Sequence, residues 1–405
     1  MNRFHTALML TIAAALPATA ATPPVIVRGH SPSRFLTPPS PSRTGKAGIA
    51  VKRARQSTAL TLRRLHSPPE QFTIIDEPDA GTAANQGTIA IFVDSGGRTT
   101  GYYVDSDNNY HSFVRAADGT ITPFDIDGPD SQTIAHWASD KGSITGDFYN
   151  ADVGQYQGFL RRANGKTETF DGASSGTHYT VTVSVNSRNV VTGWYFDDSD
   201  VSHGFLRSKS GAITPVDAPD AGSGSGQGTT PQDINMAGVV VGFYLDANNV
   251  HHGFIRAKDG TISEFDYAGA GTGSGQGTEG IGINNKGWII GDYFDSSSAV
   301  HGFVRDPAGN ITPFDAPDAG TGADQGTVPI EINNKGTATG WYLDANNVYH
   351  GFVRSKDGTL TEFDAPGAGG SAYLGTSGYD INKQGVVAGY DQDDAGVYHG
   401  FLRTP

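Results

Sequence analysis

The chain carries one motif seven times: His111-Ser112-Phe113, Gln157-Gly158-Phe159, His203-Gly204-Phe205, His252-Gly253-Phe254, His301-Gly302-Phe303, His350-Gly351-Phe352 and His399-Gly400-Phe401, spaced 46 or 49 residues apart. An aliphatic residue and then an arginine follow every copy. A fixed period near 50 means one supersecondary unit per repeat. Something repeated this regularly is architecture before it is chemistry, so the sequence speaks more clearly about shape than about activity.

The sixth repeat shows what the unit is. Residues 327–333 and 337–343 read as strands joined by a turn at Asn334-Lys335-Gly336, where glycine supplies the positive φ of a tight hairpin. Residues 348–354 follow the turn Asp344-Ala345-Asn346-Asn347, and residues 359–364 follow Lys356-Asp357-Gly358. Four short strands joined by hairpins make a propeller blade. The other repeats align with few gaps. The column at Asn333 reads Asp94, Ser139, Asn186, Asn235, Asn284, Asn333 and Asn382. The column at Asp364 reads Asp125, Asp171, Asp217, Asp266, Asp315, Asp364 and Asp76. The last member comes from the opposite end of the chain. The seventh repeat stops at Pro405, one strand short, and an orphan strand, 72–76, precedes the first repeat. Pairing the two removes an exposed edge. The expected fold is therefore all-β: a seven-bladed β-propeller of four-stranded antiparallel blades, closed by an N-terminal strand that completes the last blade.

These features resemble the HAF-type extracellular repeat proteins over residues 71–405. The shared pattern is Ile332-Asn333, Gly336, Gly340, Tyr342 and His350-Gly351-Phe352, with Gly or Ser where that family has Ala. The resemblance implies export and a propeller-like array, and it implies no established reaction.

The N-terminus reads as a targeting segment. Arg3 precedes an apolar run from Ala7 to Leu16, and Pro17-Ala18-Thr19-Ala20 offers cleavage after Ala20. Residues 21–70 are rich in proline and serine and hold nine Lys and Arg against one acid, the composition of a disordered basic linker. No stretch is apolar for the roughly 18 residues of a membrane helix. There is no cysteine, which a large secreted core tolerates. Secretion to the periplasm or the exterior is the expectation. Residues 71–405 hold 18 Lys and Arg against 41 Asp and Glu, a surface that repels nucleic acid phosphates.

Among chemistry-bearing residues, the six motif histidines lie at equivalent positions in different blades. Ring geometry spreads them apart, so each is expected to hydrogen-bond within its own blade rather than hold a shared metal. The Asp-Ala-Asn-Asn turns look faintly like calcium loops but lack the glycine and the closing glutamate of an EF-hand. The Gly-rich loops lack the Lys-Ser/Thr ending of a phosphate loop. They lie at the same end as the turns between the second and third strands, which marks that end as the binding face, with Gln227, Gln276 and Gln325 as ligand contacts. Positions that break the repeat carry more information. The column at Glu331 reads Phe92, Trp137, Ser184, Asp233, Gly282, Glu331 and Asp380. Strand alternation sets it on the face opposite the apolar Ile332 column. Asp233, Glu331 and Asp380 are candidates for cation binding or acid–base work at the channel mouth. If they crowd together, mutual repulsion predicts that neutralising one stabilises the protein. His136-Trp137 and His178-Tyr179 replace the usual Gln-Gly-Thr start in blades two and three and are further ligand candidates. The reading is an exported, monomeric, non-catalytic binding or scaffold module for an extracellular protein or glycan, without a cofactor. The alternative is an extracellular lyase or hydrolase acting on a saccharide or other small substrate.

Overall fold

The computed structural model describes residues 70–128, 132–173 and 179–405. The expected targeting segment, nearly all of the basic linker and His178 lie outside them. Among the described residues, 28 strands and no helix are present, so the fold is all-β and no helix is long and apolar enough to cross a membrane. Unit six is typical. Its strands Gly326–Ile332, Ala338–Leu343, Tyr349–Arg354 and Leu360–Phe363 pair antiparallel in order, here called strands a to d. Their ends fall within one residue of the sequence reading. The a–b turn forms because Asn333 Oδ1 accepts the backbone N–H groups of Lys335 and Thr337, while Gly336 takes φ +86. The expected orphan strand, Gln71–Ile75, pairs antiparallel with Tyr398–Thr404, from Gln71↔Thr404 to Ile75↔Gly400. Unit seven thus has strands from both ends of the chain.

Neighbouring units join in three ways. Strand c of one unit makes a one-residue parallel bridge to strand a of the next, as in Val300↔Gly326 and Tyr398↔Gly87. Only glycine fits there: Gly326 has φ +127, and a Cβ would lie 1.8 Å from the Val300 carbonyl. Unit two, residues 134–170, lacks that glycine at its start and stands as a separate four-stranded sheet, while the other strands merge into one. Next, an asparagine ladder runs from unit to unit. Asn186, Asn235, Asn284 and Asn333 each donate Nδ2 to the backbone carbonyl of the following member, and Asn382 donates to Asp94 in unit one.

The third tie explains the repeated motif. Its phenylalanines, Phe113, Phe159, Phe205, Phe254, Phe303, Phe352 and Phe401, are all 0% exposed. Most meet the strand-d aromatic ring of the preceding unit edge-on, as Phe352 meets Phe314 at 5.9 Å and Phe401 meets Phe363 at 6.1 Å. The motif arginine covers the same ring: Arg354 lies 4.8 Å above Phe314 and Arg403 4.8 Å above Phe363. The central glycine lets strand d approach, since a Cβ on Gly351 would meet the Phe363 ring at 2.4 Å.

Candidate functional site

Every strand a carries a β-bulge that the sequence reading missed. In unit six the register runs Pro329↔Gly340 and then Glu331↔Thr339, which leaves Ile330 unpaired. The skipped residues are Ile91, His136, Val183, Gln232, Ile281, Ile330 and Tyr379. Glu331 and Ile332 both stay paired after the bulge, to Thr339 and Ala338, so they alternate as expected. Ile332 packs with Ile290 and Val304 of unit five, and members of both columns border one opening. Bulges of this kind re-aim side chains at sheet edges and binding sites.

That opening lies at the a–b turns. Phe92 and Trp137 form an aromatic wall, their rings edge-to-face at 5.4 Å. Asp233, Glu331 and Asp380 line the same opening, and Asn285, Asn334 and Lys383 stand at its rim. The structure thus brings the three acids and Trp137 to one place. It puts them at the end opposite the Gly-rich loops, which were expected to form the binding face.

The acids are also working parts of the fold. Asp233 Oδ1 accepts from Ser184 Oγ at 2.7 Å and from its neighbour Ile234 N at 2.8 Å, and Oδ2 accepts from Ile283 N at 2.9 Å. Asp380 Oδ2 accepts from Val93 N at 2.8 Å. Glu331 Oε1 accepts from Ile332 N at 3.1 Å. Such donors hold a carboxylate as an acceptor.

The remaining candidates separate. His136 is buried and turns away from the mouth, with Nε2 3.0 Å from Asp147 Oδ2 beside an interior cavity lined by Tyr102, Tyr379 and Tyr390. Tyr179 packs on the ring of Tyr156 at 5.0 Å. The glutamines are occupied in their own loops. Gln227 accepts from Gly224 N and donates to Asn249, Gln276 accepts from Gly273 N and donates to Ser298, and Gln325 accepts from Gly322 N and donates to Asn347.

The motif histidines each lie between two carboxylates of their own unit. His350 Nδ1 is 2.8 Å from Asp364 Oδ1, Nε2 is 4.0 Å from Asp344, and the ring stacks on Tyr342 at 4.9 Å. His111, His301 and His399 have the same two partners, and Gln157 takes the place in unit two with Asp171 and Asn150. The hydrogen bond to Asp364 raises the His350 pKa above its ordinary value, with burial opposing. A raised histidine pKa contributes stability that is present below about 6.5 and lost as pH rises through the folded value. His350→Ala is accordingly expected to cost about 1 kcal/mol at pH 5.5 and less at pH 8.5. Urea unfolding at both pH values checks this, and an equal cost at both would remove the ion pair from the account.

The turn carboxylates first close their own turns: Asp246 Oδ1 accepts from Asn248 N and Val250 N, both at 2.8 Å. Among the described residues, no group of three or more His, Asp or Glu is arranged to hold a metal ion.

No family model matches the chain, and no curated protein matches it. Among solved structures, a streptogramin B lyase aligns over 82% of this chain and 97% of its own, with 14% identity and a TM-score of 0.52. A catalytically inactive virginiamycin B lyase from Staphylococcus aureus, solved with quinupristin, aligns over 83% of this chain and all of its own, with 13% identity and a TM-score of 0.53. At such identity the likeness shows the fold alone, which is propeller-like.

Proposed function

We propose that the seven units close into a seven-bladed propeller that acts as an exported, non-catalytic binding module, with a saccharide as the ligand at the a–b mouth. Closure is supported by the pairing of Gln71–Ile75 with Tyr398–Thr404 and by the Asn382 bond into unit one. Export rests on the N-terminal segment ending at Ala20, and kinship with the HAF-type repeats rests on the shared motif. The observation that carries the ligand class is the mouth itself: an aromatic wall facing acids and asparagine amides. A sugar ring offers an apolar face to stack on Trp137 and hydroxyls for the polar side. The module works as a monomer and without a cofactor. The alternative, a lyase or hydrolase acting on a saccharide or small substrate, asks the same three acids for acid–base work. Their bonds from backbone N–H groups favour the role of acceptor.

The test is calorimetry of the exported domain against a panel of neutral and basic oligosaccharides. Trp137→Ala is expected to weaken binding 10- to 100-fold, a loss in the range of one stacked aromatic contact. Trp137 is 6% exposed and packs with Phe92, Ile144 and Phe148, so Trp137→Ala also lowers the melting temperature. Trp137→Phe, which keeps an aromatic ring, should weaken binding with a smaller change in melting temperature. Binding that ignores Trp137 would move the site elsewhere, and turnover of a bound saccharide would favour the enzyme.

A further inference from the structure

Unit seven breaks the repeat at one buried position. In five units a tyrosine of strand b stacks on the motif histidine: Tyr103, Tyr195, Tyr244, Tyr293 and Tyr342, at 4.9 to 5.4 Å. Unit two has Phe148 there, and unit seven has Asp391. Asp391 pairs directly across the strands with His399, so both side chains share one face. It is 1% exposed, and neither carboxyl oxygen has a hydrogen-bond partner. Such a group carries an uncompensated desolvation cost when charged.

Its surroundings add to that cost. His399 Nδ1 is 2.9 Å from Asp76 Oδ1, and Nε2 is 3.7 Å from Asp393 Oδ2. Asp76 closes the N-terminal strand, His399 belongs to the last strand, and Asp393 lies in the turn between the strands that carry Asp391 and His399. On the other side the cross-strand neighbour is Thr376, which does not titrate. Glu77, next in the chain, acts on Tyr103 and His111 of unit one. One imidazole is thus set among three carboxylates, at the seam that joins the two ends of the described chain.

We propose that Asp391 makes this seam a proton-operated clasp, firm when the carboxyl is neutral and loosened when it ionises. Burial pushes the Asp391 pKa up to about 7, with Asp76 and Asp393 adding to the rise and His399 opposing it. The closed seam therefore keeps a proton that an opened seam has released. Stability of the seam falls as pH rises from about 4 to about 7, and the loss is complete above that.

Hydrogen exchange on the intact protein at pH 5 and pH 8, corrected for the intrinsic chemical rate, reads the opening directly. Unit six is the internal reference, because it has the same histidine and aspartates with Tyr342 in place of Asp391. Protection of Gln71–Ile75 and Tyr398–Thr404, relative to Tyr349–Arg354, is expected to fall by up to about a hundredfold between the two pH values. Asp391→Asn should abolish that relative fall. Asp391→Tyr, which restores the residue of the other units, should do the same if the asparagine variant does not fold. A seam that follows unit six at both pH values, or a relative fall that survives in the variants, would overturn the proposal.

Discussion

A chain that begins at Pro78 is expected to melt far below one that begins at Glu70. The difference between them is a single strand with its flanks, Gln71–Ile75. Ile75 is buried, and the Phe72 ring packs at 5.5 Å on Phe401 and 6.2 Å on Phe363. Asp76 is the partner of His399, and Glu70 pairs with Arg403, whose guanidinium covers Phe363. Burial of the two apolar side chains and the lost ladder together amount to roughly 5 kcal/mol. That is comparable with the whole stability of many domains. The loss also leaves Tyr398–Thr404 as an unpaired edge. Thermal melts by circular dichroism compare the two chains, and a synthetic 70–77 peptide should restore part of the difference by mass action. Equal melting temperatures would mean that the two ends do not depend on one another.

Much of this fold could be read from the residues, because its devices repeat. The Asn-x-x-Gly turns, the motif phenylalanines and the orphan strand each left a column or a phase that only one pairing satisfies. The missed features depend on contacts that no period encodes. The bulge in strand a shifts register without a marker residue: Ile91, Val183 and Ile330 look like ordinary strand residues. The glutamines looked available because each stands beside glycines. In the structure those glycines are where the loop folds back onto the glutamine amide, as Gly320 and Gly322 approach Gln325. Asp391 was visible in principle as the one acid in an aromatic column. Its importance comes from burial and from Asp76, a residue 315 positions earlier.

The inner acids give the last expected result, opposite in sign to what repulsion alone predicts. Asp233→Ala should destabilise the protein by roughly 3 kcal/mol, although it removes a negative charge from an acidic mouth. Asp233 is buried and its two oxygens serve three successive units: Ser184 Oγ of unit three, Ile234 N of its own unit and Ile283 N of unit five. Removing the carboxylate leaves the hydroxyl and at least one buried N–H without an acceptor. A hydrogen bond to a charged group contributes more than a neutral one, and a buried orphan donor adds its own desolvation cost. Glu331→Gln is the control. Its amide oxygen can still accept from Ile332 N, so the change should be small. Urea unfolding of both variants at neutral pH decides between the two accounts. If Asp233→Ala proves neutral or stabilising, repulsion among the mouth acids outweighs their bonds to neighbouring strands. The acids would then be held at a cost to the fold, as groups kept for a cation or for catalysis are. The expected loss instead makes Asp233 a strut of the mouth, and leaves Trp137 and the rim amides as the groups proposed to meet a ligand.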